Sequence, residues 1–193
     1  MKIRKKIILF VLAVAAAGAA DAKQVQLPMI YEPMAKLKLS KLLEKSLADN
    51  AACSFQVLPA QDIRPNKLSI GFNGANLDAQ KVTDWLYTAM VALFDHTKRD
   101  QAKLQVTVEP KLTRLYTYHE SMNILGVTSV ILEFKVNGSL VETRQYRGFY
   151  AKTNWAAANG EYVTALNDAM NNMLPKIVNE LTAVCQTIEK SVD

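Results

Sequence analysis

Residues 122–136 alternate cleanly, with Ile124, Thr128, Val130, Leu132, Phe134 and Val136 on one face, and they run straight into Asn137-Gly138. Strict alternation is the mark of a strand with one buried side. Asn-Gly is the strongest short hairpin signal, because a tight two-residue turn needs positive φ at both positions. Residues 139–151 then return as the partner strand. An antiparallel hairpin is therefore the feature around which the rest of the chain must fold. Its exact register does not follow from the turn alone. A strict two-residue loop sets Glu133 opposite Glu142, and facing like charges are unfavourable.

The other elements follow from periodicity and punctuation. Residues 53–58 read as a strand closed by Pro59, and 62–66 as a turn. Residues 68–72 read as a second short strand, broken by Asn73-Gly74. Val82, Trp85, Leu86, Ala89, Met90, Leu93 and Phe94 recur at helical spacing, with Asn76 or Asp78 available as a cap. Residues 103–108 alternate again. Pro110 then interrupts, which predicts a bend, a bulge or an edge position before extended structure resumes over 112–118. After a small-residue connection at 155–160, a last helix spans 161–188. Its stripe is Val163, Leu166, Met170, Met173, Leu174, Ile177, Val178, Leu181 and Cys185, with a kink expected near Asn171 from the internal Pro175. A moderate amphipathic helix is expected at 34–48, Leu-rich on one side and Lys-rich on the other. The order is an α+β two-layer sandwich: a mainly antiparallel sheet with helices packed on one face.

The N-terminus has a different character. Lys2, Arg4, Lys5 and Lys6 precede an apolar run at 7–20 that is too short for a comfortable membrane span, and Ala20-Asp21-Ala22 follows. That order describes a cleaved secretory signal peptide over residues 1–22. Residues 23–52 form a lead-in and the amphipathic helix, and residues 53–193 form one α+β domain. The signal holds four cations and one acid, so it carries three of the five formal positive charges. What remains is nearly balanced and has no general attraction for nucleic acid. An exported protein meets an oxidising compartment, where the only two cysteines, Cys53 and Cys185, suggest a disulfide. Two buried thiols are the alternative.

Chemistry is sparse. His96 and His119 fall on different elements with no fixed spacing, so no metal pair is indicated. No nucleophile elbow, zinc motif, phosphate loop or dinucleotide fingerprint occurs. No catalytic group, cofactor or metal site is assigned. Tyrosine and arginine do concentrate in two runs, with Arg114, Tyr116 and Tyr118 in one and Arg144, Tyr146 and Arg147 in the other. Strand faces of this composition suit protein interfaces. They also suit a solvated sheet face, and the sequence leaves both readings open.

Three segments resemble known families. They are Asp62-x-Arg64 ahead of Leu68-Ser69-Ile70-Gly71, then Val136-Asn137-Gly138 with Tyr146-Arg147-Gly148-Phe149-Tyr150, and the helix start at residues 162–170. Over residues 62–185 the chain is similar to the YajG-like envelope lipoproteins and, more loosely, to the PqiC-like auxiliary lipoproteins of ABC-type transport. The resemblance implies a non-enzymatic periplasmic accessory protein that contacts an envelope protein complex. The chain departs from the pattern in lacking a cysteine just after the signal, so no lipid anchor is expected. The expectation is a protein soluble in the periplasm or held at the membrane by a partner, with peripheral membrane contact through the 34–48 helix as a further route. A carrier holding a lipid or small molecule between sheet and helices is the alternative function. Export from a Gram-negative host should yield a protein whose first residue is Lys23. Intact-mass measurement checks this, and retention of residues 1–22 would show an uncleaved anchor instead.

Overall fold

The hairpin forms where it is expected. In the computed structural model, which describes residues 26–27, 29–33, 52–67, 76–77, 79–97, 102–153 and 159–192, both turn residues have positive φ, 51° at Asn137 and 81° at Gly138. The described strands are β1 (Gln26–Leu27), β2 (Cys53–Val57), β3 (Gln61–Asp62), β4 (Asn76–Leu77), β5 (Leu104–Glu120), β6 (Asn123–Val136) and β7 (Ser139–Thr153). The helices are α1 (Ala79–Phe94), continued by a short 3₁₀ turn at Asp95–Thr97, and α2 (Asn159–Val192). The signal segment 1–22, the 34–48 helix and the 68–72 strand lie outside the described residues.

The main sheet runs β2-β5-β6-β7, with β3 also paired to β5. The pairs β5–β6 and β6–β7 are antiparallel, whereas β2 and β3 run parallel to β5. β1 and β4 form a separate two-stranded parallel pair. The fold is α+β, with the helices packed on the sheet.

Pro110 does not end its strand. β5 continues through it, paired to Leu132 on the β6 side. On the other side, β2 pairs as far as Val108 and β3 begins at Lys111, so Pro110 falls in the gap between two parallel neighbours. Its missing N–H costs least there. The irregularity lies further on, in a bulge at Thr113 between Leu112 and Arg114. A second register shift lies in β7, where Leu140 pairs with Lys135 and Glu142 with Phe134. It sets Thr143, not Glu142, opposite Glu133, which removes the like-charge clash of the strict register.

One face of the sheet carries the core. Phe55, Val106, Val108, Leu112, Leu115, Val130, Leu132 and Phe134 are buried there beneath the helices. Phe55 sits between Phe94 of α1 and Phe134 of β6, with ring centroids 5.7 and 6.1 Å away. α2 buries a continuous stripe from Tyr162 to Ile188 and passes through Pro175 as one helix. Cys53 on β2 is bonded to Cys185 on α2, with Cα atoms 6.0 Å apart and 132 residues of separation. Closing a loop of that size stabilises by roughly 2–5 kcal/mol.

The lead-in is strapped to the same helix. Trp85 Nε1 donates to Asn167 Oδ1 at 2.7 Å, and Asn167 Nδ2 donates to the Ile30 carbonyl at 3.0 Å. One turn along, Tyr31 donates to Asn171 Oδ1 at 2.7 Å, and Asn171 Nδ2 donates to the Glu32 carbonyl at 3.0 Å. Helical spacing i,i+4 is about 6 Å, close to the about 6.7 Å between alternate residues of an extended chain, so two asparagines on one helix face reach alternate carbonyls of the lead-in. Burial pushes the Tyr31 phenol up to about 12.

Two glycines set how closely α2 lies on the sheet. A Cβ at Gly126 would stand 2.2 Å from the Ala165 carbonyl oxygen, and one at Gly148 only 1.8 Å from that of Ala169. Helix backbone therefore rests on strand backbone. Gly148→Ala should overpack this contact and destabilise by about 1–3 kcal/mol or more. Gly160→Ala, where an added Cβ meets nothing within 4 Å, is the control. Thermal unfolding of the two variants checks the contrast.

Candidate interaction face

Side chains alternate along a strand, so the sheet face away from the helices is set by parity and by the bulges. Along β5, parity from Leu112 alone would aim Arg114, Tyr116 and Tyr118 at the core. The bulge at Thr113 reverses this. Leu115 and Thr117 turn inward and are buried, while Arg114, Tyr116 and Tyr118 face away from the helices. Thr113 Oγ1 donates to the Ser129 carbonyl at 3.0 Å and secures the extra residue. The shift in β7 acts the same way. It places Gln145, Arg147 and Phe149 on the outer face beside Ile131, Ser129 and Val127 of β6.

Three cross-strand rows result. Tyr118, Leu125 and Ala151 form one, Tyr116, Val127 and Phe149 the next, and Arg114, Ser129 and Arg147 the third. The β6 residues in the middle are buried, Tyr116 is half-buried, and Tyr118 and Phe149 stand out. Tyr118 is 36% exposed and Phe149 49%. The Tyr116 and Tyr118 rings stack with centroids 6.0 Å apart, and Arg147 Nη2 lies 3.5 Å from the Tyr116 hydroxyl. Two hollows share Arg114 as a wall. One, of about 360 Å³, is lined by Arg114, Ser129, Gln145 and Arg147 along with Tyr146. The other, of about 410 Å³, lies against Arg64, Pro65, Asn66 and Tyr116.

Of the six residues singled out in the sequence, the fold brings together four. Arg114, Tyr116, Tyr118 and Arg147 share the outer face. Arg144 and Tyr146 do not join them, because one residue of register change puts both on the helix side. Tyr146 is only 4% exposed and belongs to the core, where burial raises its phenol well above the ordinary value. Arg144 pairs with Glu142 at 3.1 Å. Phe149 was not singled out from the sequence. The signal for it is Gly148, whose close approach to α2 forces its neighbours outward.

The same face continues into a charge ladder. Glu109 and Glu133 sit directly opposite each other, a pairing that would be unfavourable alone. Lys111 answers Glu133 at 2.6 Å, and Lys135 bonds Glu109 and also lies 3.7 Å from Glu133. Gln61 of β3 donates to Glu109 as well. The hydrogen bond from Lys135 holds the Glu109 carboxyl below the usual range, and the same bond raises the Lys135 ammonium. Beside this ladder, Arg64 is buried at 4% exposure and held by Asp62 at 2.7 and 2.8 Å. It also donates to the carbonyls of Lys67 and Leu115, which fixes the rim next to Arg114.

Among the described residues, no group of three or more His, Cys, Asp and Glu is placed to hold a metal. Nor is any described helix long and apolar enough to cross a membrane. The side chains of His96 and His119 lie outside the described residues.

No family model matches the sequence, and no curated protein matches it either. Solved structures do. Protein XCC0632 from Xanthomonas campestris, of family DUF330, is similar with a TM-score of 0.52 at 12% identity, covering 86% of this chain and 98% of that one. A minor lipoprotein from Acinetobacter baumannii scores 0.38 at 10% identity, covering 65% and 92%. Lipoprotein GNA1162 from Neisseria meningitidis scores 0.29 at 12% identity, covering 63% and 99%. Of these three, the first shows a shared fold.

Glu109 generates a pH prediction. Its folded pKa lies below the unfolded value, so its contribution is present above about pH 4.3 and is lost as pH falls through the folded pKa. Urea unfolding midpoints should drop on acidification from about pH 5 to 3. Glu109→Gln should make that drop shallower. An unchanged slope would mean the ladder contributes nothing to folding.

Proposed function

We propose that this chain is a non-enzymatic accessory protein of the bacterial cell envelope. In this reading it works in the periplasm as an interaction subunit of an assembly or transport system. The observation that supports it most is the outer sheet face. Aromatic and arginine side chains stand there in register on three paired strands, with the main hydrophobic cluster on the other side. Tyr, Phe and Arg are the residues that carry interface energy. The signal-like N-terminus and the bonded cysteine pair agree with an exported envelope protein. The family resemblance points the same way.

The packing speaks against a ligand held between α2 and the β6–β7 part of the sheet. At Gly126 and Gly148 the two layers touch backbone to backbone, which leaves no room for a ligand there.

Site-specific photocrosslinking in cells tests the reading. A photoreactive residue at Tyr118 or Phe149 should give discrete adducts with an envelope protein. The same residue at Gln186, exposed on α2, should not. Adducts from all three sites alike, or from none, would remove the support for a docking role of the outer face.

A further inference from the structure

The described arginines fall into two groups. Arg64 is held by Asp62, and Arg144 by Glu142. Arg114 and Arg147 meet no carboxylate among the described residues. The register sets them on either side of Ser129, each one strand away, at the walls of the 360 Å³ hollow. Two like charges flanking one residue repel, and nearby charge of opposite sign relieves that. Elsewhere on the same face that rule is obeyed: the facing Glu109 and Glu133 are each answered by a lysine. The arginine pair is the place where the compensating charge is missing.

The hollow is also lined with donors. The two guanidinium groups carry no acceptor at all. Gln145 Nε2 donates to Ser129 Oγ at 3.3 Å, so the Ser129 hydroxyl keeps its own proton to donate. A planar guanidinium fork matches a carboxylate with two parallel hydrogen bonds. Beside the hollow runs a strip made of the half-buried Tyr116 and the exposed Tyr118 and Phe149.

We propose that the hollow between Arg114 and Arg147 binds a side-chain carboxylate of a partner protein, in a segment whose apolar neighbours lie along Tyr116, Tyr118 and Phe149. This deepens the interaction-face reading and rests on it. The flank argues for a protein over a lipid headgroup. It is a short aromatic strip on an open sheet face, the composition of a protein interface. An acyl chain needs a deeper apolar cleft, and behind this part of the sheet α2 is in backbone contact.

The test uses the mature chain and two immobilised arrays of hexapeptides with random apolar flanks. One carries Asp or Glu at the centre and the other Asn or Gln. Retention on the acidic array should exceed that on the amide array at least tenfold. It should fall at least tenfold in an Arg114→Gln, Arg147→Gln double variant with an unchanged melting temperature. Arg147→Lys, which keeps charge and loses the fork, should recover only part of the binding. Should the double variant melt early, the two single variants carry the comparison. Equal retention on both arrays, or retention indifferent to the arginines, would overturn the proposal. Tighter binding to phosphatidylglycerol vesicles than to the acidic array would overturn it in favour of a lipid phosphate. Crosslinking from Phe149 separates the two levels. Adducts without any acid preference leave the docking face standing and remove carboxylate recognition, whereas no adducts remove the face itself.

Discussion

Backbone contact between α2 and the sheet is the constraint from which most of this structure follows. Gly126 and Gly148 are diagonal neighbours on β6 and β7, and they meet the carbonyls of Ala165 and Ala169, one helical turn apart. Small residues on both sides let the helix settle lower than side-chain packing would permit. That depth brings the flanking stripe of Leu166, Met170, Met173 and Ile177 fully into the core. It also sets the height at which Asn167 and Asn171 hold the lead-in and at which Cys185 reaches Cys53. A helix lifted by even one methyl layer would disturb all three attachments together.

With the described helices packed on one side, the other side of the sheet carries the outward-facing rows. Its content is decided by two single-residue irregularities. The bulge at Thr113 turns Arg114, Tyr116 and Tyr118 outward. The shift in β7 turns Arg147 and Phe149 outward and sends Arg144 and Tyr146 inward. The charges sort along the same face. At one end Glu109, Lys111, Glu133 and Lys135 neutralise one another. At the other, two arginines stand beside aromatic rings with no acid among the described residues. The face thus balances its charges in one place and leaves two arginines unanswered by any described acid in another.

The hairpin, the helical stripe of α1, the long last helix and the α+β class were all legible in the sequence. Each rests on a local signal that tertiary context does not overturn: Asn137-Gly138 takes the positive φ that a tight turn requires, and the stripe from Val82 to Phe94 has one periodicity and one buried side. The incompatibility of Glu133 with Glu142 also marked, from sequence, where the simple register had to fail. The pairing of Cys53 with Cys185 was suggested by count and compartment, and the fold brings the two within bonding distance.

What the sequence could not decide was which side of the sheet each tyrosine and arginine would occupy. A period of two carries parity only as far as the next bulge, and a bulge has no fixed signature. The step from Leu112 to Leu115, three residues where two would keep parity, is the one local trace of the first. The sequence by itself thus determined that there would be a hairpin-centred sheet, a helical layer and a Tyr- and Arg-rich set of strand positions. Only the tertiary structure decided which of those positions form a surface, because burying Leu115 and separating two glutamates are choices made across strands and not along them.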